Sequence, residues 1–191
     1  MADYFSTIST IIKNRRTIKP FMMNGGKIPD EQVSQLLELA DWAPTHGYTE
    51  PWRFVVYTNP ADFCHQHAEM YKQNTDAANY IEASYTNFYT QGDKVSHVIV
   101  AIMERGNLPK IPVFEEIAAT AAAIQNILLG ATALNIASFW STGGMILKPA
   151  MKTFLKLNDE DEVMGVLYLG YTDEQFAGVR KIPLSEKVKW V

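Results

Sequence analysis

A chain of 191 residues, 47% apolar and 20% charged, carries enough hydrophobic material for one domain with a sizeable core, expected to span residues 1–191. A net charge of −4 offers no basic face to nucleic acid, and the lone Cys64 excludes an intrachain disulfide and any CxxC redox or zinc motif. The chain does not open with a basic segment, an apolar run and a small-residue cleavage site, so a cytoplasmic protein is expected, with small molecules or copies of itself as partners.

Residues 3–14 place Phe5, Ile8, Ile11 and Ile12 at helical spacing behind a capping Asp3, which predicts a short amphipathic helix. It leads into RRTIKPF at residues 15–21, where Arg15, Arg16, Thr17 and Lys19 crowd together. Pro20, Asn24, Gly25 and Gly26 stop the helix and hold this cationic cluster on a turn. Taken alone, such a cluster is more often a solvated helix end than a phosphate site. A second amphipathic helix is expected over residues 28–42, closed by Pro44. The polar loop of residues 44–50, containing His46, then enters a strand at residues 53–57.

Residues 59–73 read as a helix with Cys64, His65 and His67. Two histidines two apart face different sides of a helix and no partner completes a metal site. The aromatic stretch 77–91 is expected to be a helix or lid, and the β-branched run 95–103 a buried strand. Residues 113–136 contain only Glu115 and Glu116 as charges, both in the first turn, and predict a long central helix buried nearly all round. Its alanines, threonines, Gln125 and Asn126 argue against a membrane span. A sharp turn at SFWSTGG (residues 138–144), a short helix at 148–157 and a core strand at 163–171 follow. The tail RKIPLSEKVKWV begins with Arg180 and Lys181 and ends in apolar and aromatic residues that predict docking on another surface.

Three separated stretches together resemble the nitroreductase family of flavin enzymes. They are RRTIK at residues 15–19, APTHGYTEPWRF at residues 43–54, and the later order of buried strand, Ala-rich helix, WSTGG turn, VLYLG strand and basic pair. The compact YdjA-type branch is the most similar. The resemblance implies an α+β fold with a central, mainly antiparallel sheet flanked by helices, and a homodimer with two FMN sites between subunits. It also implies hydride transfer from NADH or NADPH to nitroaromatic, quinone or similar electron-poor acceptors by a ping-pong route. Under it, Arg15, Arg16 and Thr17 hold the FMN phosphate with Arg180 or Lys181, and Lys19 reaches the pyrimidine edge. Trp42, Pro44, Thr45 and His46 close over the flavin from the partner, and the turn of Trp140, Ser141, Thr142 and Gly143 lies along its ring. No catalytic side chain is implied, because the cofactor carries the chemistry. Glu50, the Gly47–Tyr48 pair and Thr17 depart from the family pattern. Two other readings stay open at this stage: a flavin-sequestering protein of the same fold with little turnover, and a ligand-free interaction module.

Overall fold

Four segments rich in β-branched and aromatic residues pair into one antiparallel sheet: β1 (Trp52–Tyr57), β2 (His97–Met103), β3 (Ala137–Ser141) and β4 (Glu162–Gly170), in the order β1-β2-β4-β3. The computed structural model describes residues 3–191. Every residue of β2 is buried, as its unbroken apolar run requires of a central strand covered on both faces. Successive residues still alternate. Val98, Val100 and Ile102 join one core, and Ile99 and Ala101 join the other.

Among the described residues six α-helices accompany the sheet: α1 (Tyr4–Asn14), α2 (Asp30–Asp41), α3 (Pro60–Asn74), α4 (Glu82–Thr90), α5 (Val113–Ala133) and α6 (Pro149–Leu155). The first core packs Phe63, Cys64, Met70 and Tyr71 of α3 and Met151 of α6 against Val166 and Tyr168 of β4. The second packs Val33, Leu36 and Ala40 of α2 and Ala123, Ile124, Ile127 and Ala131 of α5 against Leu167 and Leu169. Gly130 permits the close approach of α2 to α5, since a Cβ there would lie 2.7 Å from Leu39 and 2.8 Å from Leu36. α5 is long and apolar enough to cross a membrane, and it lies here against the sheet and α2.

The structure departs from the sequence reading in three places. The expectation that α5 is buried nearly all round is corrected, because its N-terminal Phe114 is 69% exposed and one flank lies outside this chain's core. Residues 138–141, expected to begin a turn, form most of β3. Its backbone pairs with β4 at Ser138↔Leu169 and Trp140↔Leu167, and the chain bends only at the glycines beyond Ser141. α1 forms as expected, with Asp3 Oδ1 accepting the Ser6 N–H at 3.0 Å, yet none of its residues is buried. Its apolar stripe of Phe5, Ile8 and Ile12 faces outward.

Candidate active site

The turn after α1 is tied to the edge of the sheet. The Ile18 N–H donates to Ser138 O at 2.9 Å, and Ile18 is buried, so residues 17–19 run beside β3. Pro20 starts a short 3-10 turn (Pro20–Met22), in which the Met22 and Met23 N–H groups return to the carbonyls of Lys19 and Pro20. This bend presents Lys19 and Phe21 to a cavity of about 540 Å³. On β3, Phe139 and Ser141 line the same cavity by the period of two. From α4 come Asn87 and Gln91, one helical turn apart on one face, with Phe88 between them. His67, Thr90, Asp93 and Lys94 complete the lining.

His67 is the most constrained of these groups. It is 1% exposed on α3, its Nε2 accepts the Met145 N–H at 3.0 Å, and its ring lies 5.7 Å from Phe63 and 4.6 Å from Phe88. Burial pushes its pKa down to about 4, so the imidazole is neutral at pH 7. Met145 follows Gly144, which sits at φ +63°, and a Cβ on Gly144 would meet His67 Nε2 at 2.7 Å and Phe88 at 2.8 Å.

Of the residues expected from sequence, Lys19 and Ser141 meet in the cavity, and Thr142 and Gly143 continue the chain from Ser141 on the exposed turn. The Trp140 side chain takes the opposite face of the sheet, where its Nε1 donates to Met164 O at 2.9 Å beside Gly165. Arg15 is half-buried and Thr17 exposed. Arg16 donates to Phe176 O, Lys13 O and Arg15 O at 2.9, 2.6 and 2.8 Å, which fastens the end of α1 to the start of the tail.

Trp42, Pro44, Thr45 and His46 lie before β1, on the edge of the sheet opposite β3 and three inter-strand steps away, roughly 14 Å. Trp42 is 81% exposed. The loop is braced within itself, where Thr45 Oγ1 lies 3.0 Å from Thr49 Oγ1, and tied once to α5, where His46 Nδ1 lies 2.6 Å from Glu115 Oε2. Tyr48 and Glu50 hold left-handed backbone at φ 55° and 43°. Arg180 and Lys181 sit in a wholly exposed tail. Neither the loop nor the tail lines the cavity.

Sequence reasoning missed Asn87, Gln91, Phe88, Phe139 and His67. The spacing of Asn87 and Gln91 was a usable signal, since carboxamides four apart in an otherwise aromatic helix share a face. A second polar chain resembles a hydrolase triad. His97 joins Asp30 Oδ1 at 3.0 Å and Ser96 Oγ at 2.9 Å, but Ser96 is fully buried and its oxygen also accepts the Ile28 N–H at 2.7 Å. A hydroxyl without access to substrate is not a nucleophile. It ties the entry of α2 to β2.

The family model described as the nitroreductase family matches residues 12–171. The chain belongs to the nitroreductase family. YfhC of Bacillus subtilis, named as a candidate NAD(P)H nitroreductase, is 25% identical over 185 residues, covering 95% of this chain and 93% of that one. The crystal structure of a nitroreductase-like family protein from Bacillus cereus matches with a TM-score of 0.81 at 23% identity, over 100% of this chain and 98% of that one. The FMN-dependent nitroreductase NfnB of Mycobacterium smegmatis, solved in complex with NADPH, matches with a TM-score of 0.73 at 17% identity, over 98% of this chain and 99% of that one. The chain thus shares the nitroreductase fold with these structures.

Proposed function

We propose that this chain is the single-domain subunit of a cytoplasmic, homodimeric FMN-dependent oxidoreductase. It takes hydride from NADH or NADPH and delivers it to flat, electron-poor acceptors such as nitroaromatics or quinones, by a ping-pong route. The observation that carries the reading is the cavity's lining of two lysines, Lys19 and Lys94, with Asp93, two carboxamides one helical turn apart and aromatic walls around about 540 Å³. A space of this size suits a flat ring system. The FMN-dependent relative with NADPH supports the choice of cofactor and donor.

The lining fits FMN chemically. The cofactor, when bound, accepts and releases the hydride. Lys19 would supply a positive charge beside a bound ring, which would raise the ring's affinity for electrons. Asn87 and Gln91 each offer a donor and an acceptor, matching an edge that alternates N–H and C=O groups. Phe88 and Phe139 would shield a bound ring from water. Arg15 and Thr17 offer the phosphate a guanidinium fork and a hydroxyl. Trp42, Pro44, Thr45, His46, Arg180 and Lys181 would reach a partner subunit's cavity. The outward apolar stripe of α1 and the exposed Val179, Leu184 and Trp190 of the tail favour such a dimer.

The test is an anaerobic visible spectrum of protein loaded with FMN and freed of excess, before and after NADH or NADPH. A retained band that bleaches and returns with a nitroaromatic or quinone supports the reading. A retained band that neither donor bleaches would replace it with flavin sequestration, and no retained flavin would leave an interaction module. For the assembly, Phe5→Asp is expected to leave the fold of the chain intact, halve the mass in solution and release FMN. A variant that stays dimeric with α1 so altered would remove α1 from the interface.

A further inference from the structure

The glycine turn beside the cavity is held by a side chain from another element. Residues 142–144 carry the chain from Ser141 to Met145, and the Met145 N–H donates to His67 Nε2 at 3.0 Å. Met145 is buried, so without His67 its N–H would have no water to turn to. Gly144 lies directly under the imidazole and the Phe88 ring, leaving no room for a Cβ. α3, α4 and the turn therefore meet at one ring, and that ring lines the cavity.

An ordinary core residue at this position would be Phe or Leu. An imidazole is a poor filler here, because accepting at Nε2 leaves the proton on Nδ1, which is buried and has no partner. The fold tolerates one unpaired donor and a strongly depressed basicity to keep one acceptor facing Met145. That arrangement is explained if the exact height of the turn matters to whatever occupies the cavity.

We propose that His67 is a positioning residue of this site: its Nε2, by holding the Met145 N–H, sets the path of the turn of residues 142–144 where the chain leaves Ser141 at the cavity wall. The proposal rests on the oxidoreductase reading for its kinetic consequence, though not for its geometry. A displacement of about 1 Å in a group that faces a reacting ring lowers the rate by up to about a hundredfold. His67 touches no reacting atom in this scheme and acts only through the backbone it holds.

Three variants of the FMN-loaded enzyme separate the possibilities. His67→Phe keeps a ring and loses the acceptor. His67→Gln places a carbonyl near the Nε2 position, and His67→Asn is polar but too short to reach Met145. Stopped-flow reduction by NADH or NADPH, at saturating donor, is expected to slow tenfold or more in His67→Phe and His67→Asn and to return to within about threefold of the parent in His67→Gln. Equal rates in His67→Phe and the parent would overturn the proposal. So would equal rates in His67→Gln and His67→Asn, a comparison that stands if His67→Phe fails to fold. Hydrogen exchange of the Met145 amide supplies a second readout. Protection should fall in His67→Phe and persist in His67→Gln, and unchanged protection in His67→Phe would refute the contact's role. Should the parent itself not turn over, the oxidoreductase reading fails and amide exchange alone decides the positioning role.

Discussion

The cavity beside β3 and the loop of residues 42–50 at the opposite edge of the sheet draw on the same kinds of residue. Both combine aromatic rings, hydroxyls and a histidine. Around the cavity, several groups are held by another element: the segment before Lys19 through Ile18 and Ser138, the turn after Ser141 through Met145 and His67, and Phe88 by the imidazole. In the loop, Trp42 is 81% exposed and Tyr48 91% exposed, and the bracing bonds are almost all internal. One cluster of these residues is thus packed within the chain, and the other stands outward, where the proposed dimer would cover it.

Substitutions in the two regions should therefore behave differently. The largest effect is expected at Gly144. A methyl group there meets His67 and Phe88 at under 3 Å and must adopt a left-handed backbone, so Gly144→Ala should lose about 3 kcal/mol and roughly 10 °C in thermal midpoint. A midpoint within about 2 °C of the parent would show that the turn is soft and the cavity less finished than its contacts suggest.

Acid should loosen the same region. The unfolded imidazole of His67 takes a proton at its ordinary value of 6.5, whereas the buried one holds off until about 4. The unfolded state thus binds more protons in this window, and stability is present above pH 6.5 and falls as the pH drops towards 4. The contribution lost is up to about 3 kcal/mol. Urea midpoints measured from pH 7 to 4 should fall more steeply in the parent than in His67→Gln, and parallel curves would remove the assignment.

Lys19→Met tests the electrostatics of the finished region with little effect on folding, since Lys19 is exposed. Flavin should remain bound and its midpoint potential should drop by on the order of 30 mV, about 1.4 kcal/mol for a two-electron couple. An unchanged potential would move Lys19 away from the ring. The smallest effect is expected in the loop. Glu115→Gln breaks the contact with His46, whose side chain is 62% exposed, and should change stability by less than about 1 kcal/mol. A larger loss in the dimer than in the isolated subunit would show that the brace matters only once the loop has a partner.

Much of this arrangement was legible beforehand, and the reasons are local. Asp3 capped α1 as its position predicted, because a side-chain acceptor at a helix start acts within four residues. The run at residues 95–103 announced a central strand because only burial on both faces tolerates unbroken apolar sequence. Lys19 was singled out by the resemblance that RRTIK carries, and Pro20 bends the chain directly after it as its fixed φ requires. Arg16 was grouped with the phosphate-binding residues, and in the structure its donors go to Phe176, Lys13 and Arg15. Two adjacent guanidinium groups look alike in sequence, and their partners lie up to 160 positions away.

The sequence by itself determined most of the elements, the period of their apolar faces and, through the order of three modest motifs, the family, while β3 was read as part of a turn. These follow from steric and hydrogen-bonding preferences that act over a few residues. Only the tertiary structure decided which side of β3 faced the cavity, so that Phe139 and Ser141 line it while Trp140 leaves it. A strand's register depends on its neighbours, and a shift of one residue would reverse every side chain. It also decided that His67, Asn87 and Gln91 belong with Lys19, because α3 and α4 pack on the face beside β3, and that packing is settled by the shared core rather than by any segment alone.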